Sequence, residues 1–267
     1  MRRHCSIFLV GLLTAPTASA ISQDGILGTI AGSTAGYRDG AAAEAQFQFP
    51  THVAVSPLDG SVYFSDAWSN TIRKRASDGQ VTTVAGSNDN GGYTGDGEAA
   101  TKARLSAPGD LVVDSAGHLY VADVGNNVVR KIDAKTGVIS TVAGTGVPAY
   151  DGTDGPATLM GLNLVGCLAV DASDNLYLAD TNNGLIRKVT PAGVLTSPVG
   201  DFEAKGASTG DNGPATLAGL NRPSAVAVAA DGTLYLAELD GHKIRCVDPK
   251  GIITTYAGGG NPPPGSI

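Results

Sequence analysis

The feature that most restricts what this chain can become is an internal period. The segments SVYFSDAWSNTIRKR, HLYVADVGNNVVRKI, NLYLADTNNGLIRKV and TLYLAELDGHKIRCV superimpose without gaps. They set Asp66, Asp123, Asp180 and Glu238 at steps of 57, 57 and 58 residues, and Arg73, Arg130, Arg187 and Arg245 at the same steps. Each copy closes on a run such as TTVAG, ending at Gly86, or STVAG, ending at Gly144. A fifth run of this kind, GTIAG, ends at Gly32, ahead of the first full copy. A unit of this length cannot bury its apolar sides alone, so the copies must stack on one another.

Within each copy the apolar runs are short, rich in β-branched and aromatic residues, and bounded by turn residues, which is the pattern of strands. Four are expected per copy: an inner run such as Leu111 to Asp114, a Leu-Tyr run, an Ile-Arg-Lys run and a Val-Ala-Gly run. Asp59-Gly60, Ala116-Gly117, Ser173-Asp174 and Asp231-Gly232 supply a tight turn between the first two. Four antiparallel strands repeated radially make the blade of a propeller. The expected fold is therefore all-β, a β-propeller of four four-stranded blades near residues 51–86, 109–144, 166–200 and 224–258. Residues 28–31 are expected as an orphan strand that competes for an outer position, so the array reads as an incomplete or distorted ring. An open ring exposes the apolar faces of its end blades and favours self-association.

The inner strand led by Pro or Gly, then G-x-L-Y-V-A-D, then N-N-x-I-R-K-I, resembles the NHL repeat. The linkers GDGEAATKARLSAP and GDNGPATLAGLNRP resemble its long-linker bacterial and extracellular variety. The resemblance runs from Gly28 to Gly258 and implies a propeller that usually has six blades and serves as a binding scaffold. Related six-bladed propellers include calcium-dependent lactonases of the gluconolactonase type and a zinc-dependent peptidyl-hydroxyglycine lyase, which hold a metal at the axis. That kinship makes calcium a candidate cofactor and a metal-dependent enzyme the alternative function.

Residues 1–20 carry Arg2 and Arg3, an apolar centre from Ile7 to Leu13 and the small residues Ala18-Ser19-Ala20, the pattern of an export signal. A domain of residues 21–267 is then expected in a secreted or extracytoplasmic location. No apolar run approaches the roughly 20 residues that a membrane span requires. Without its first 20 residues the chain holds 16 basic and 25 acidic side chains, a net charge of −9, which disfavours nucleic acid as a partner. Export would permit a disulfide between Cys167 and Cys246, but they fall on different kinds of strand.

The repeated acidic residue ends a strand just before a turn, where a carboxylate can accept backbone N–H bonds, and the arginine seven residues on returns toward it. Both are read as structure. The linkers carry Tyr37, Tyr93 and Tyr150, together with Asp39, Asp96, Asp154 and Asp211, which connectivity would gather above the axis; they are read either as turn formers and packing within their own linkers or as a contact face for a sugar, a cation or a protein loop. The inner strands begin with His52, Asp110, Cys167 and Ala225, a set that raises the question of an axial metal or nucleophile. Trp68 stands where the other copies have Gly125, Asn182 and Asp240, which makes it a candidate partner anchor beside the alternative that it packs over its own turn. The function expected is a secreted, non-catalytic scaffold for a protein or glycan.

Overall fold

The tight turns between strands close as their residues require. Gly60, Gly117 and Gly232 take φ values of 67°, 84° and 87°, and Asp174 takes 58° in the same place. This left-handed backbone is open to glycine and tolerated by aspartate. Residues 28–152 and 154–259 are described in a computed structural model, and the export signal expected at 1–20 lies outside them.

Among these residues four antiparallel sheets follow one another along the chain. Blade 1 contains β1 (Gly40–Ala41), β2 (Pro50–Val55), β3 (Val62–Asp66), β4 (Thr71–Arg75) and β5 (Gln80–Gly86). Blade 2 contains β6 (Pro108–Val113), β7 (Leu119–Asp123), β8 (Val128–Ile132) and β9 (Ile139–Ala143). Blade 3 runs from β10 (Gly155–Pro156) through β11 (Val165–Val170), β12 (Leu176–Asp180) and β13 (Leu185–Val189) to β14 (Val194–Val199). Blade 4 runs from β15 (Gly213–Pro214) through β16 (Pro223–Val228), β17 (Leu234–Glu238) and β18 (Lys243–Val247) to β19 (Ile252–Gly258).

Three sheets thus have five strands where the repeat predicts four. The extra pair of residues comes from the linker leading into the blade, which descends its outer edge: Gly40 lies opposite Val81, Gly155 opposite Leu195 and Gly213 opposite Ile253. In blade 2 the same contact is a single bridge between Ala99 and Val138. An outer strand left alone would expose a row of unpaired N–H and C=O groups, and the linker covers part of it. The orphan strand expected at 28–31 does not form; these residues belong to no sheet. A strand needs a ladder partner, and the outer position of blade 4, for which it was expected to compete, is held by β19 with β15 on its edge.

Each blade has two faces, a front face toward the preceding blade and a rear face toward the next, and the three junctions bury the rear faces of blades 1 to 3 and the front faces of blades 2 to 4. Between blades 1 and 2 the rear-face residues Ala54, Tyr63 and Val84 meet the front-face residues Leu111, Val121 and Ile139. Ala100, Ala103 and Leu105 of the linker complete that core, and the linker makes one 3-10 turn there, Ala100–Lys102. The junctions between blades 2 and 3 and between blades 3 and 4 repeat this arrangement. Near the axis the inner strands come close: a Cβ added to Gly166 would stand 3.1 Å from the Ser224 carbonyl oxygen of the next blade. Inner strands pack β2 on β6, β6 on β11 and β11 on β16, but no packing of that extent returns from β16 to β2. The ring is open.

Candidate functional site

The repeated arginines are the largest of the fully buried side chains, each 0% exposed. Each is met from its own blade by the carboxylate that ends the second strand. The separations are 3.9 Å for Arg73 and Asp66, 3.5 Å for Arg130 and Asp123, 3.4 Å for Arg187 and Asp180, and 2.9 Å for Arg245 and Glu238. In three blades the carboxylate also accepts the backbone N–H that leads toward the inner strand, from Phe49 (2.6 Å), Ser106 (2.7 Å) and Asn163 (2.8 Å). Burial pushes Asp123 and Asp180 up to about 6, against the pull of these donors and of the arginine.

The linker supplies the other half of this lock. Arg130 donates to Asp96 at 2.7 Å and to the Thr94 carbonyl at 3.2 Å, and Arg245 donates to Asp211 at 2.8 Å and to the Thr209 carbonyl at 3.1 Å. Arg73 meets Asp39 in the same way, donating through Nε at 3.1 Å. Tyr37, Tyr93 and Tyr150 lie over these guanidinium groups at 4.9, 5.2 and 5.5 Å from ring centre to Cζ. The hydroxyls of Tyr37 and Tyr93 bond Thr83 on β5 and Thr141 on β9, the fourth strand of the repeat in each blade, each at 2.9 Å. Blade 3 departs from the pattern, because Arg187 bonds Ser197 Oγ rather than Asp154.

These contacts correct the expected ring of tyrosines and aspartates above the axis. These residues are distributed among the blades at the buried arginines: Tyr37 and Asp39 at Arg73, Tyr93 and Asp96 at Arg130, Tyr150 at Arg187 and Asp211 at Arg245. The reason is electrostatic: a guanidinium taken out of water must be paired, and the linker is the segment within reach.

The axial residues are also placed by structural demands. Asp110 accepts the N–H of Leu111 and, across the blade junction, that of Leu168, at 2.9 and 2.8 Å. Both bonds lie at β-bulges, where the ladder leaves a donor unpaired. Cys167 Sγ points to the Val226 carbonyl at 3.6 Å, and burial pushes its thiol well above the ordinary value. Cys167 and Cys246 are both free. His52 is exposed, and Ala225 brings no ligand atom. Among the described residues no three His, Cys, Asp or Glu side chains converge as an ion would require. This set does not fit the axial metal of the related enzymes, because its one carboxylate is bound to backbone N–H groups.

Ser208, the centre of a G-x-S-x-G string, donates to Glu238, which gives it a place in the buried lock of blade 4.

Trp68 remains outside all of these networks. It lies in the turn between β3 and β4, 69% exposed, and stacks on Phe49 with ring centres 4.8 Å apart and planes 12° from parallel. Phe49 is itself 42% exposed. Buried Asp66 fixes the backbone beneath, accepting N–H bonds from both Gln48 and Phe49. Sequence reasoning found Trp68 and missed Phe49. The signal was present: Phe49 falls where the other copies have Ser106, Asn163 and Asn221. In blade 3 the same two positions hold Asn182 and Asn163, joined by a hydrogen bond of 3.1 Å.

Family models agree with this architecture. The model of the NHL repeat matches residues 105–132, and that of the teneurin NHL domain matches residues 202–261. The chain is an NHL-repeat β-propeller. Its NHL repeats are 32% identical over 231 residues to teneurin-m of Drosophila melanogaster and 33% identical over 233 residues to teneurin-4 of Mus musculus. Each match covers 78% of this chain but only 8% of the relative. Among solved structures, an auxiliary nutrient binding protein from Bacteroides thetaiotaomicron superposes with a TM-score of 0.59 at 17% identity, over 80% of this chain and 49% of that one. A streptogramin B lyase superposes with a TM-score of 0.53 at 16% identity, over 82% of this chain and 57% of that one. At such identities the likeness concerns the fold of the NHL blades and not their activity.

Proposed function

We propose that this NHL propeller is an exported binding scaffold whose partner, a protein or a glycan, docks on the Phe49 and Trp68 pair of blade 1. The observation that carries the reading is the exposed, stacked aromatic pair on a backbone fixed by Asp66. Aromatic anchors held in place before contact lose little conformational freedom on binding and dominate interface energies. The repeated charged residues support the same reading from the other side, since they are engaged within the blades. Among the described residues no helix is long and apolar enough to cross a membrane. Export rests on the character of residues 1–20, and a secreted product beginning at Ile21 in mass analysis is the expected result.

Trp68 is the only tryptophan of the chain, so its fluorescence reports the proposed surface directly. Titration with glycans and extracellular protein domains should give a saturable change in emission for the true partner. Trp68→Ala and Phe49→Ala should each weaken that binding by at least about tenfold, the usual effect of removing an interface anchor. A partner that binds both variants as tightly as the parent would refute the docking surface. Addition or removal of calcium should leave its affinity unchanged, and a calcium-dependent gain would count against a metal-free scaffold.

A further inference from the structure

The two ends of the array are complementary to each other. On the front face of blade 1, Val53 is 45% exposed, whereas the residues in its place in the other blades, Leu111, Leu168 and Val226, are 1%, 3% and 5% exposed. Val55 on the same face is 61% exposed. At the other end, Ile244 on the rear face of blade 4 is half-buried and Ala257 is exposed. Their counterparts Ile72 and Ala85 in blade 1, and Ile186 and Val199 in blade 3, are 0% exposed. Tyr256 is 67% exposed beside Tyr235. Each end is the half of a junction that the molecule already makes three times internally.

We infer that copies of this chain associate head to tail, the rear face of blade 4 in one copy packing on the front face of blade 1 in the next. The occupant is a second copy because the fit is already present between neighbouring blades. In each internal junction a rear face is covered by a front face together with three apolar linker residues at the same spacing: Ala100, Ala103 and Leu105, then Ala157, Met160 and Leu162, then Ala215, Ala218 and Leu220. Blade 1 carries its own version, Ala42, Ala45 and Phe47, packed over Phe64 and Val81. It therefore presents the surface that blade 4 lacks. The contact joins two different surfaces, so it differs from a two-fold dimer in which one patch meets itself.

Sedimentation of the purified full chain over a concentration series tests this. The parent should shift from one copy toward two or more as concentration rises. Val53→Glu and Tyr256→Glu should each reduce association by at least about tenfold, because either places an unpaired charge in the apolar contact. Mixing the two variants should restore a one-to-one pair and nothing larger, since one intact rear face then meets one intact front face. Circular dichroism checks that each variant keeps its strands, and Val55→Glu replaces Val53→Glu if the latter does not fold. A parent that stays a single copy up to its solubility limit overturns the inference. So does association that survives both substitutions, or a mixture that remains monomeric.

Discussion

Replacing Arg130 with methionine should be among the most damaging single changes in this chain. The guanidinium is 0% exposed and holds Asp123, also 0% exposed, while bonding Asp96 and the Thr94 carbonyl of the linker. Its loss strands the Asp123 carboxylate in the blade and releases the linker from the outer edge. Breaking a buried pair by removing one partner costs about 3–5 kcal/mol. For a chain of this size that corresponds to a fall in melting temperature of roughly 6–20 °C, at about 2–4 °C per kcal/mol. Asp96→Ala should cost about 1 kcal/mol or less, because the Asp96 side chain is 45% exposed and solvent screens its pairing. The Arg130→Met, Asp123→Leu double variant should recover much of the loss, since no buried charge then remains unpaired. The assay is thermal and urea unfolding of the three variants at pH 8 and pH 5. Burial already lifts Asp123 to about 6 with the arginine present. Without it the carboxyl should be neutral at pH 5, so the penalty of Arg130→Met should shrink there. An Arg130→Met variant within about 1 kcal/mol of the parent at pH 8 would refute the buried-lock argument.

Position within the array should outweigh position within the repeat. Leu168→Ala, at a residue 3% exposed, should cost about 2–5 kcal/mol in unfolding experiments, whereas Val53→Ala at the equivalent place, 45% exposed, should cost under about 1 kcal/mol. Both are measured at concentrations where the chain sediments as a single copy, and equal costs there would mean that the ring is closed in solution. A pH effect follows from Asp123 and Asp180, which are raised from 3.8 to about 6. Between these values the folded chain holds protons that the unfolded chain has released, so their contribution to stability is greatest below 3.8 and declines as pH rises to about 6. The melting temperature should fall from pH 5 to pH 7, and Asp123→Asn with Asp180→Asn should flatten that slope; an unchanged slope in the double variant would remove these two carboxylates as its cause.

Much of this architecture was legible from residue order. The period of 57 or 58 residues, the four strands of each copy and the turns at Asp59-Gly60 and its equivalents are local properties. Side-chain alternation and backbone sterics fix them within a few residues. The pairing of Asp66 with Arg73, and of its three counterparts, was also readable, because a hairpin brings positions seven apart to adjacent strands.

What only the tertiary structure decided are the relations between segments distant in sequence. The linkers were placed above the axis by reasoning from connectivity, yet they run down the outer edge. That path depends on where an unpaired strand edge and a buried guanidinium stand in three dimensions, and neither is a property of the linker's own residues. The stacking of Phe49 on Trp68 and the partnership of Asp110 with Leu168 have the same origin. So does the openness of the ring, which the repeat leaves undetermined: identical blades stack by identical contacts, and whether the last meets the first depends on the angle between them, summed around the axis.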